Sequence, residues 1–254
     1  MQVKILGGHQ GSSREIGFMS LLIDGRLVID AGGLSAGLNL EEQEQVEAVL
    51  ITHKHYDHTR DLPGFVHGLW QIKSLHVHCL DDTRAALQDY YFNGVIWPRM
   101  VEMPPGYYPL IFHKVEPEQP FNLLGYAVTP VTVAHTVPTV GYLVEIEGKS
   151  VFYTADTRSE EDPLWTRLRP DLLIAETTMA SEYDDVAGQF GHMTPLGLER
   201  VLRIFQEKQG YYPRTICVHI NPAHEERIGR ELAELSERLG ADIAPGCEGM
   251  VLEI

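Results

Sequence analysis

The chain has 254 residues, of which 44% are hydrophobic and 22% are charged, and its formal net charge is −16. This composition is ordinary for a soluble globular protein, and the length allows one sizeable hydrophobic core. The negative charge argues against a broad binding surface for nucleic acid or for an anionic membrane. No apolar run approaches the roughly 18 residues that a membrane span needs, and the N-terminal sequence is unlike a signal peptide.

The first half of the chain alternates short apolar runs with glycine-rich turns, which predicts strands joined by loops. Asp24-Gly25 between two apolar runs is a strong hairpin signal. Asp61 and Pro63 are typical of the first residues of a helix. The elements predicted here are a strand at VKIL, a hairpin in FMSLLIDGRLVIDAGG, a strand ending at Thr52, a helix in DLPGFVHGLWQI, a strand at SLHVHCL and a helix in DDTRAALQDYYFN.

Residues 93–120 form a different kind of segment, with six prolines and several aromatic residues. We expect this segment to be irregular, with one strand near LIFHKV. Three roles are open for it: a lid over a site, a wall of a site, or a contact with another subunit.

Strands return in the second half and then alternate with helices. Glu147-Gly148 predicts a second hairpin, Thr194 before Pro195 predicts a helix start, and Gly210 and Gly240 are expected to follow the last turns of two helices. The elements predicted here are strands at LLGYAVTPVTVAH, GYLVEIEG, KSVFYTAD, DLLIAET and RTICVHI, and helices at TPLGLERVLRIFQEKQG and PAHEERIGRELAELSERLG. This order predicts an α/β fold, a four-layer αββα sandwich formed by residues 1–254 as a single domain.

The segment THKHYDHTRDLPG places four potential metal ligands within six residues: His53, His55, Asp57 and His58. Buried without partners, these groups would be costly, and protonated imidazoles would repel one another. A bound metal ion removes both costs, because neutral His and ionised Asp offer lone pairs at neutral pH. The sequence therefore predicts a metal site on the loop that follows a strand.

More ligands are expected where three later apolar runs end in a polar residue. The first predicted group of ligands is His53, His55 and His135, the second is Asp57, His58 and His219, and Asp156 bridges the two. A carboxylate suits the bridging position because it has two oxygens. All these donors are N or O atoms, which permits zinc, manganese, iron or cobalt, and zinc is the first expectation.

The H-x-H-x-D-H spacing and the later His, Asp and His resemble the ligand pattern of the metallo-β-lactamase superfamily. The resemblance extends in order over nearly the whole chain, and it implies the αββα fold of that superfamily. It also implies that Asp30 in VIDAGG helps to orient the metal ligands without binding a metal ion itself. A homodimer is a further expectation from the family resemblance.

His192 in GQFGHMTP lies at a predicted helix start and is not needed as a ligand, so it suits a general acid. The phosphodiesterase branch of the superfamily, including ribonuclease Z, has a Glu before a similar G-H-x-T element. This resemblance implies that His192 protonates the leaving oxygen and that Glu176 orients His192. In the mechanism expected, a hydroxide bridging two metal ions attacks phosphorus, and Asp57 also helps to align it.

The segments YYFNGVIWP, AHTVPTVGYLVE and GHMTP are similar to segments of class II cyclic-nucleotide phosphodiesterases. This resemblance implies hydrolysis of a small phosphodiester, with a 3′,5′-cyclic nucleotide as the first expectation. Two alternatives stay open. One is a ribonuclease Z-like RNA-processing endonuclease, against which the net charge argues. The other is a lactonase or thioesterase on the same fold, whose chemistry does not need His192.

Two further histidines are candidates for substrate contacts. His9 lies in the early glycine-rich loop, and His224 opens a predicted helix five residues after the last metal ligand. The three cysteines are far apart and odd in number, which predicts a reducing, cytoplasmic location and no cysteine-based zinc site.

Overall fold

The computed structural model describes residues 1–101, 106–158 and 163–254 of the chain. Its strands are β1 (Gln2–Gly7), β2 (Ser20–Ile23), β3 (Leu27–Ile29), β4 (Ala48–Leu50), β5 (Leu75–Cys79), β6 (Leu110–Lys114), β7 (Phe121–Leu123), β8 (Tyr126–Val133), β9 (Thr139–Ile146), β10 (Lys149–Tyr153), β11 (Leu172–Glu176), β12 (Arg214–Val218), β13 (Ile243–Pro245) and β14 (Val251–Glu253). Its α-helices are α1 (Leu34–Gly37), α2 (Leu40–Gln45), α3 (Tyr56–Thr59), α4 (Leu62–Leu69), α5 (Asp81–Ala86), α6 (Asp184–Gln189), α7 (Pro195–Gln209) and α8 (Glu225–Leu239).

Two mixed sheets form the centre of the molecule. The first has the strand order β14-β1-β2-β3-β4-β5-β6, and the second has the order β13-β12-β11-β10-β9-β8-β7. Strands β3 to β6 run parallel in the first sheet, as do β10 to β13 in the second. Strands β4 and β11 are buried at every residue, as expected for parallel strands covered on both faces.

Three apolar cores separate the layers. The core between the sheets takes side chains from both of them, including Ile5 and Leu50 of the first and Tyr142 and Ile174 of the second. A second core packs α1 and α4 on the outer face of the first sheet, and a third packs α7 and α8 on the outer face of the second. The order helix, sheet, sheet, helix confirms the predicted four-layer αββα sandwich.

The elements with strong local signals occur where the sequence predicts them. Asp24 and Gly25 have φ of 47° and 71°, and Glu147 and Gly148 have φ of 51° and 74°, as the predicted hairpins require. The side chain of Thr194 accepts a hydrogen bond from the backbone N–H of Gly197 at the start of α7. Helix α8 ends at Leu239, one residue before the predicted glycine.

Other elements differ from the prediction. The strand in the segment LLGYAVTPVTVAH is β8, which begins only at Tyr126, because Leu124 and Gly125 turn the chain with φ of 55° and 88° after the end of β7 at Leu123. The charged segment before β4 forms α2, whose start is fixed by a reciprocal pair of hydrogen bonds between Asn39 and Glu42. Strand β6 is the one expected within residues 93–120, of which residues 102–105 lie outside the described part. No helix in the described ranges combines the length and apolar character that crossing a bilayer requires.

Candidate metal centre

The predicted ligands lie just beyond the carboxyl ends of strands from both sheets. His53, His55, Asp57 and His58 follow β4 of the first sheet. The ligands from the second sheet are His135 after β8, Asp156 after β10 and His219 after β12. The ends of strands are where α/β folds commonly place functional side chains. The two sheets therefore meet at this cluster.

One group of ligand atoms consists of His53, His55, His135 and Asp156, which lie within 4.8 Å of one another. The Nδ1 atom of His55 is 3.1 Å from His53 Nε2 and 3.2 Å from His135 Nε2. The Oδ2 atom of Asp156 is 3.7 Å from His53 Nε2 and 3.8 Å from His135 Nε2. Three imidazole nitrogens and a carboxylate oxygen thus converge on one point.

A second group consists of Asp57, His58, Asp156 and His219, whose ligand atoms also lie within 4.8 Å of one another. Asp57 Oδ2 is 3.1 Å from His219 Nε2, and Asp156 Oδ1 is 3.2 Å from His58 Nε2. Asp156 belongs to both groups, so the geometry allows it to bridge two ions. The grouping is the same as the one predicted from the order of the ligands.

The far nitrogen of four ligand histidines is held by an outer hydrogen bond. His58 Nδ1 lies 2.7 Å from Asp30 Oδ2, and Asp30 Oδ1 accepts from the backbone N–H of Thr52. His53 Nδ1 lies 2.9 Å from Thr52 Oγ1, and His219 Nδ1 lies 2.8 Å from the hydroxyl of Thr178. His135 Nδ1 donates to the carbonyl of Gly191 at 2.9 Å. These partners orient the rings and leave Nε2 directed into the cluster.

The charges at the cluster suit a cation. Burial lowers the pKa of His53 well below its usual value, and the neighbouring His58 adds to this, so His53 favours the neutral form that binds metal. Burial also opposes charge on His58, but Asp156 and Asp30 outweigh it and raise the pKa of His58 well above its usual value. The carboxylates therefore stabilise positive charge at this point.

Two buried atoms of the cluster, His58 Nε2 and Asp156 Oδ1, lie 3.2 Å apart but make no well-aligned hydrogen bond with each other or with any other described residue. Buried polar atoms are rarely left unpaired, and both are good ligands for a divalent cation. The orphaned atoms and the all-N/O donor set thus fit bound metal ions.

Backbone geometry around the cluster is specialised. Asp30, Ala155 and His219 have φ of 61°, 55° and 61°, which places three non-glycine residues in the left-handed region beside the ligands. Gly32 has no space for a side chain, because a Cβ atom there would lie 1.8 Å from the carbonyl oxygen of Asp57. The ligand loop thus requires glycine at this contact.

His192 lies beside both groups of ligands. Its ring stacks on His219 at 5.3 Å between centroids, and its centroid is also 5.3 Å from that of His135. His192 Nδ1 is 3.0 Å from Glu176 Oε1, and Glu176 is fully buried. Burial lowers the pKa of His192, but the charge and hydrogen bond of Glu176 outweigh this and raise it to about 9. The pair can therefore hold a proton next to the cluster.

The two other predicted site histidines, His9 and His224, belong to neither of these two ligand groups. His9 is 2% exposed, and its Nδ1 is 2.8 Å from Glu248 Oε1. His224 Nδ1 accepts a hydrogen bond from the backbone N–H of Ala180, and its ring is 4.8 Å from that of Tyr183. Their predicted contact with substrate stays a prediction.

Sequence reasoning did not identify the outer partners Thr52, Thr178 and the carbonyl of Gly191. A weak signal exists for the two threonines, since each is a hydroxyl residue just beyond a ligand-bearing or glutamate-bearing strand. The carbonyl of Gly191 has no such signal, because any residue carries a carbonyl and only the fold brings this one to His135.

Residues 26–220 match a sequence family described as the beta-lactamase superfamily domain. A probable 3′,5′-cyclic-nucleotide phosphodiesterase from Yersinia pestis is 24% identical over 76% of this chain and 62% of its own length. A ribonuclease Z from Thermoplasma acidophilum is 21% identical over 70% of each chain. The chain thus spans less than two thirds of the Yersinia relative.

A solved structure shows the same architecture. The metallo-β-lactamase fold protein YhfI from Bacillus subtilis superposes with a TM-score of 0.78 over 99% of both chains, at 18% sequence identity. The sequence family covers most of the chain, and the fold and the ligand cluster agree with it. The chain belongs to the metallo-β-lactamase superfamily and shares the fold of its metal-dependent hydrolases.

Proposed function

We propose that this protein is a dinuclear metal-dependent phosphodiesterase that hydrolyses a small phosphodiester, in the first place a 3′,5′-cyclic nucleotide. The observation that carries the proposal is the His192–Glu176 pair. It lies against both ligand groups, yet two complete sets of ligands are available without it. Phosphodiester cleavage must protonate a leaving oxygen, and a positioned histidine next to the metal centre serves this purpose.

Each side chain has a distinct part in this proposal. The seven ligands hold two divalent cations, with zinc as first choice, which supply charge neutralisation for the phosphoryl oxygens and a lowered pKa for water. The carboxylate of Glu176 accepts a hydrogen bond from Nδ1 of His192. The other ring nitrogen, Nε2, then carries the proton to the leaving oxygen. Asp57, whose side chain is 21% exposed, is placed to orient the attacking water as well as to bind a cation. Thr178 donates to Glu176 at 2.7 Å and fixes that carboxylate.

The cyclic-nucleotide substrate is supported by the name of the Yersinia relative and by the net charge of −16, which disfavours a large RNA. The relative from Thermoplasma favours a second candidate, a ribonuclease Z-like endonuclease. Both candidates use the same centre and differ in the size of the substrate. The proposal also includes the homodimer and the cytoplasmic location expected from the sequence. The three cysteines are free, which is compatible with a reducing compartment.

The test measures hydrolysis of 3′,5′-cyclic AMP, 3′,5′-cyclic GMP, a transfer RNA precursor and a lactone by the protein with zinc or manganese. We expect opening of a cyclic nucleotide that a chelator abolishes and that His192→Ala slows by roughly 10²–10⁴-fold. His113→Ala, at the distant edge of the first sheet, is the matched control and is expected to keep the rate. Cleavage of the RNA precursor alone would favour the second candidate. Hydrolysis of the lactone alone, at a rate indifferent to His192, would refute both.

A further inference from the structure

A cavity of about 460 Å³ lies against the loop that carries the first four predicted ligands, with Tyr56 of that loop in its lining. The residues around it that matter here are Tyr56, Arg60, Tyr90, Tyr91, Ile96 and Trp97. Its volume is within the range of about 300–1,000 Å³ that is common for small-molecule sites. Neither the ligand set nor the His192–Glu176 pair uses these side chains.

The cavity is joined to the metal centre by the chain itself. Tyr56 lies between the ligands His55 and Asp57 in the sequence. The hydroxyl of Tyr91 is 3.1 Å from Thr59 Oγ1, and Thr59 in turn donates to the carbonyl of His55 at 2.9 Å. The wall of the cavity that contains Tyr91 is thus hydrogen-bonded to the loop that carries the predicted ligands. The cavity is therefore lined in part by the same short loop that carries His55 and Asp57.

The chemistry of the lining favours a flat aromatic ring. Four of its side chains are Tyr or Trp, whereas Ile96 is the sole branched aliphatic one among the described lining residues. Aromatic rings stack on planar heterocycles, whereas a site for an acyl chain would be lined by aliphatic side chains such as Leu and Val. Tyr90 is 73% exposed and Ile96 is 82% exposed, and both line the same cavity, so they belong to a clustered exposed apolar surface of the kind that marks binding sites.

Trp97 adds an independent observation. Its indole Nε1 is buried and has no hydrogen-bond partner among the described residues. A buried Trp N–H normally donates to an acceptor. Trp97 thus lines the cavity with an indole whose N–H lacks an acceptor among the described residues.

We propose that this cavity holds the nucleobase of the substrate, so that the substrate class is a nucleoside phosphodiester. The inference rests on the proposed phosphodiesterase function and adds the group by which the substrate is selected. The base of a cyclic nucleotide and a base of an RNA chain share this chemistry, and the experiment separates these two sources.

The first arm compares two linear diesters that release p-nitrophenol: the p-nitrophenyl ester of adenosine 5′-phosphate, and methyl p-nitrophenyl phosphate, which has no base. For the zinc-loaded protein we measure kcat/KM with both and take their ratio. Tyr90→Ala and Ile96→Asp are each expected to lower this ratio about tenfold, mostly through KM, as loss of base stacking predicts. Tyr108→Ala, an exposed tyrosine outside the cavity, is the matched control and is expected to keep the ratio.

An unchanged ratio in both cavity variants, with both esters hydrolysed, would overturn the cavity assignment and leave the phosphodiesterase proposal intact. Failure of the wild-type protein to hydrolyse either ester would contradict the proposed function instead. In that case equilibrium dialysis with adenosine 5′-phosphate decides the cavity: binding that Tyr90→Ala weakens supports it, and equal or absent binding refutes it.

The second arm identifies the source of the base. Cyclic AMP and a short adenylate oligoribonucleotide are used as inhibitors of the nucleoside ester reaction. The inhibitor whose potency falls about tenfold in Tyr90→Ala, but not in Tyr108→Ala, is the one that uses the cavity. Loss of potency for neither inhibitor would overturn the assignment.

Discussion

At the scale of single residues, Glu248 connects two distant parts of the chain behind the metal centre. Its Oε1 accepts hydrogen bonds from the backbone N–H of Gly17 at 2.8 Å and of Gly8 at 3.1 Å, and it also contacts His9. The same loop is joined to Ile220, the neighbour of the ligand His219, by two backbone hydrogen bonds. His219 adopts a left-handed backbone, so it depends on such support.

Glu248→Ala is therefore expected to weaken zinc binding by about tenfold, the lower end of what outer contacts of metal ligands contribute. Glu248→Gln keeps an acceptor oxygen for Gly8 and Gly17 and should restore most of the affinity. The measurement is competition for zinc with a chromophoric chelator. Glu226→Ala is the matched control, because that side chain is 89% exposed and pairs only with Arg230 among the contacts described. Equal zinc affinity in Glu248→Ala and the wild type would show that the support is not needed.

Single residues also show which parts of the candidate site can be predicted from the sequence alone. The seven predicted ligands are recognisable because their side chains have metal-binding chemistry and follow apolar runs in order. Thr52 and Thr178 are common residues whose role depends on which ring they face. Thr178 contacts His219 because the strands that precede them, β11 and β12, are neighbours in one sheet, and this pairing of strands is not visible in a local sequence pattern.

At the scale of elements, β5 and β6 carry a histidine cluster that does not belong to the metal centre. The ring of His78 is 9% exposed and stacks between His113 at 4.5 Å and Phe121 at 5.5 Å. His76 Nδ1 is 2.8 Å from His113 Nε2. Burial lowers the pKa of His78 to about 4, and the nearby His113 and His76 add to this.

This cluster makes a pH-dependent contribution to stability. The unfolded chain protonates His78 near its usual pKa of 6.5, while the folded chain resists protonation down to about 4. The contribution of neutral His78 is therefore complete above pH 6.5 and is lost as the pH falls toward 4. The expected loss is at most about 3 kcal/mol in the free energy of unfolding.

We expect the difference in unfolding free energy between the wild type and His78→Gln to shift in favour of the variant as the pH falls from 7.5 to 5. Urea unfolding of the metal-free protein at several pH values measures this difference. His67→Gln, at an exposed histidine of α4, is the matched control. A difference that stays constant over this range would mean that His78 is protonated as easily in the folded chain as in the unfolded one.

Elements also differ in how well the sequence predicts them. Helix α7 is predictable at both ends, because Thr194 and Gly210 act on the adjacent turn, and Gly210 has the expected φ of 77°. Strand β14 has only three residues and pairs with β1, with Val3 opposite Leu252. Such a short strand is defined by its distant partner, so no local pattern reveals it.

At the scale of the whole molecule, the ligand set joins the two sheets. Four ligands belong to the loop after β4 of the first sheet and three follow strands of the second. Cations bound at these groups are expected to stabilise the folded chain, because the unfolded chain does not keep the ligands together. At a free zinc concentration 100 times the Kd, one site contributes about 2.7 kcal/mol.

Thermal unfolding with zinc and with a chelator is the corresponding measurement, together with the metal content of each chain. We expect two ions per chain, a clear rise in Tm on addition of zinc, and a strongly reduced rise in Asp156→Ala, which removes the ligand shared by both groups. Asp185→Ala changes an exposed carboxylate of α6 and serves as the control. Equal Tm values for wild-type protein with zinc and with chelator would contradict the predicted centre.

The contact between Gly191 and His135 restricts the motion of the segment that bears His192. Gly191 accepts a hydrogen bond from the ligand His135, has a φ of 79°, and leaves no space for a Cβ atom, which would lie 2.7 Å from His135 Nδ1. The residue that follows it is His192. The segment bearing His192 is therefore tied to the ring of the predicted ligand His135, and an outward swing of this segment would break that hydrogen bond or turn the ring. For the proposed function, this contact holds the proposed proton donor close to the predicted ligands, so we expect opening for substrate or product to involve other walls of the site.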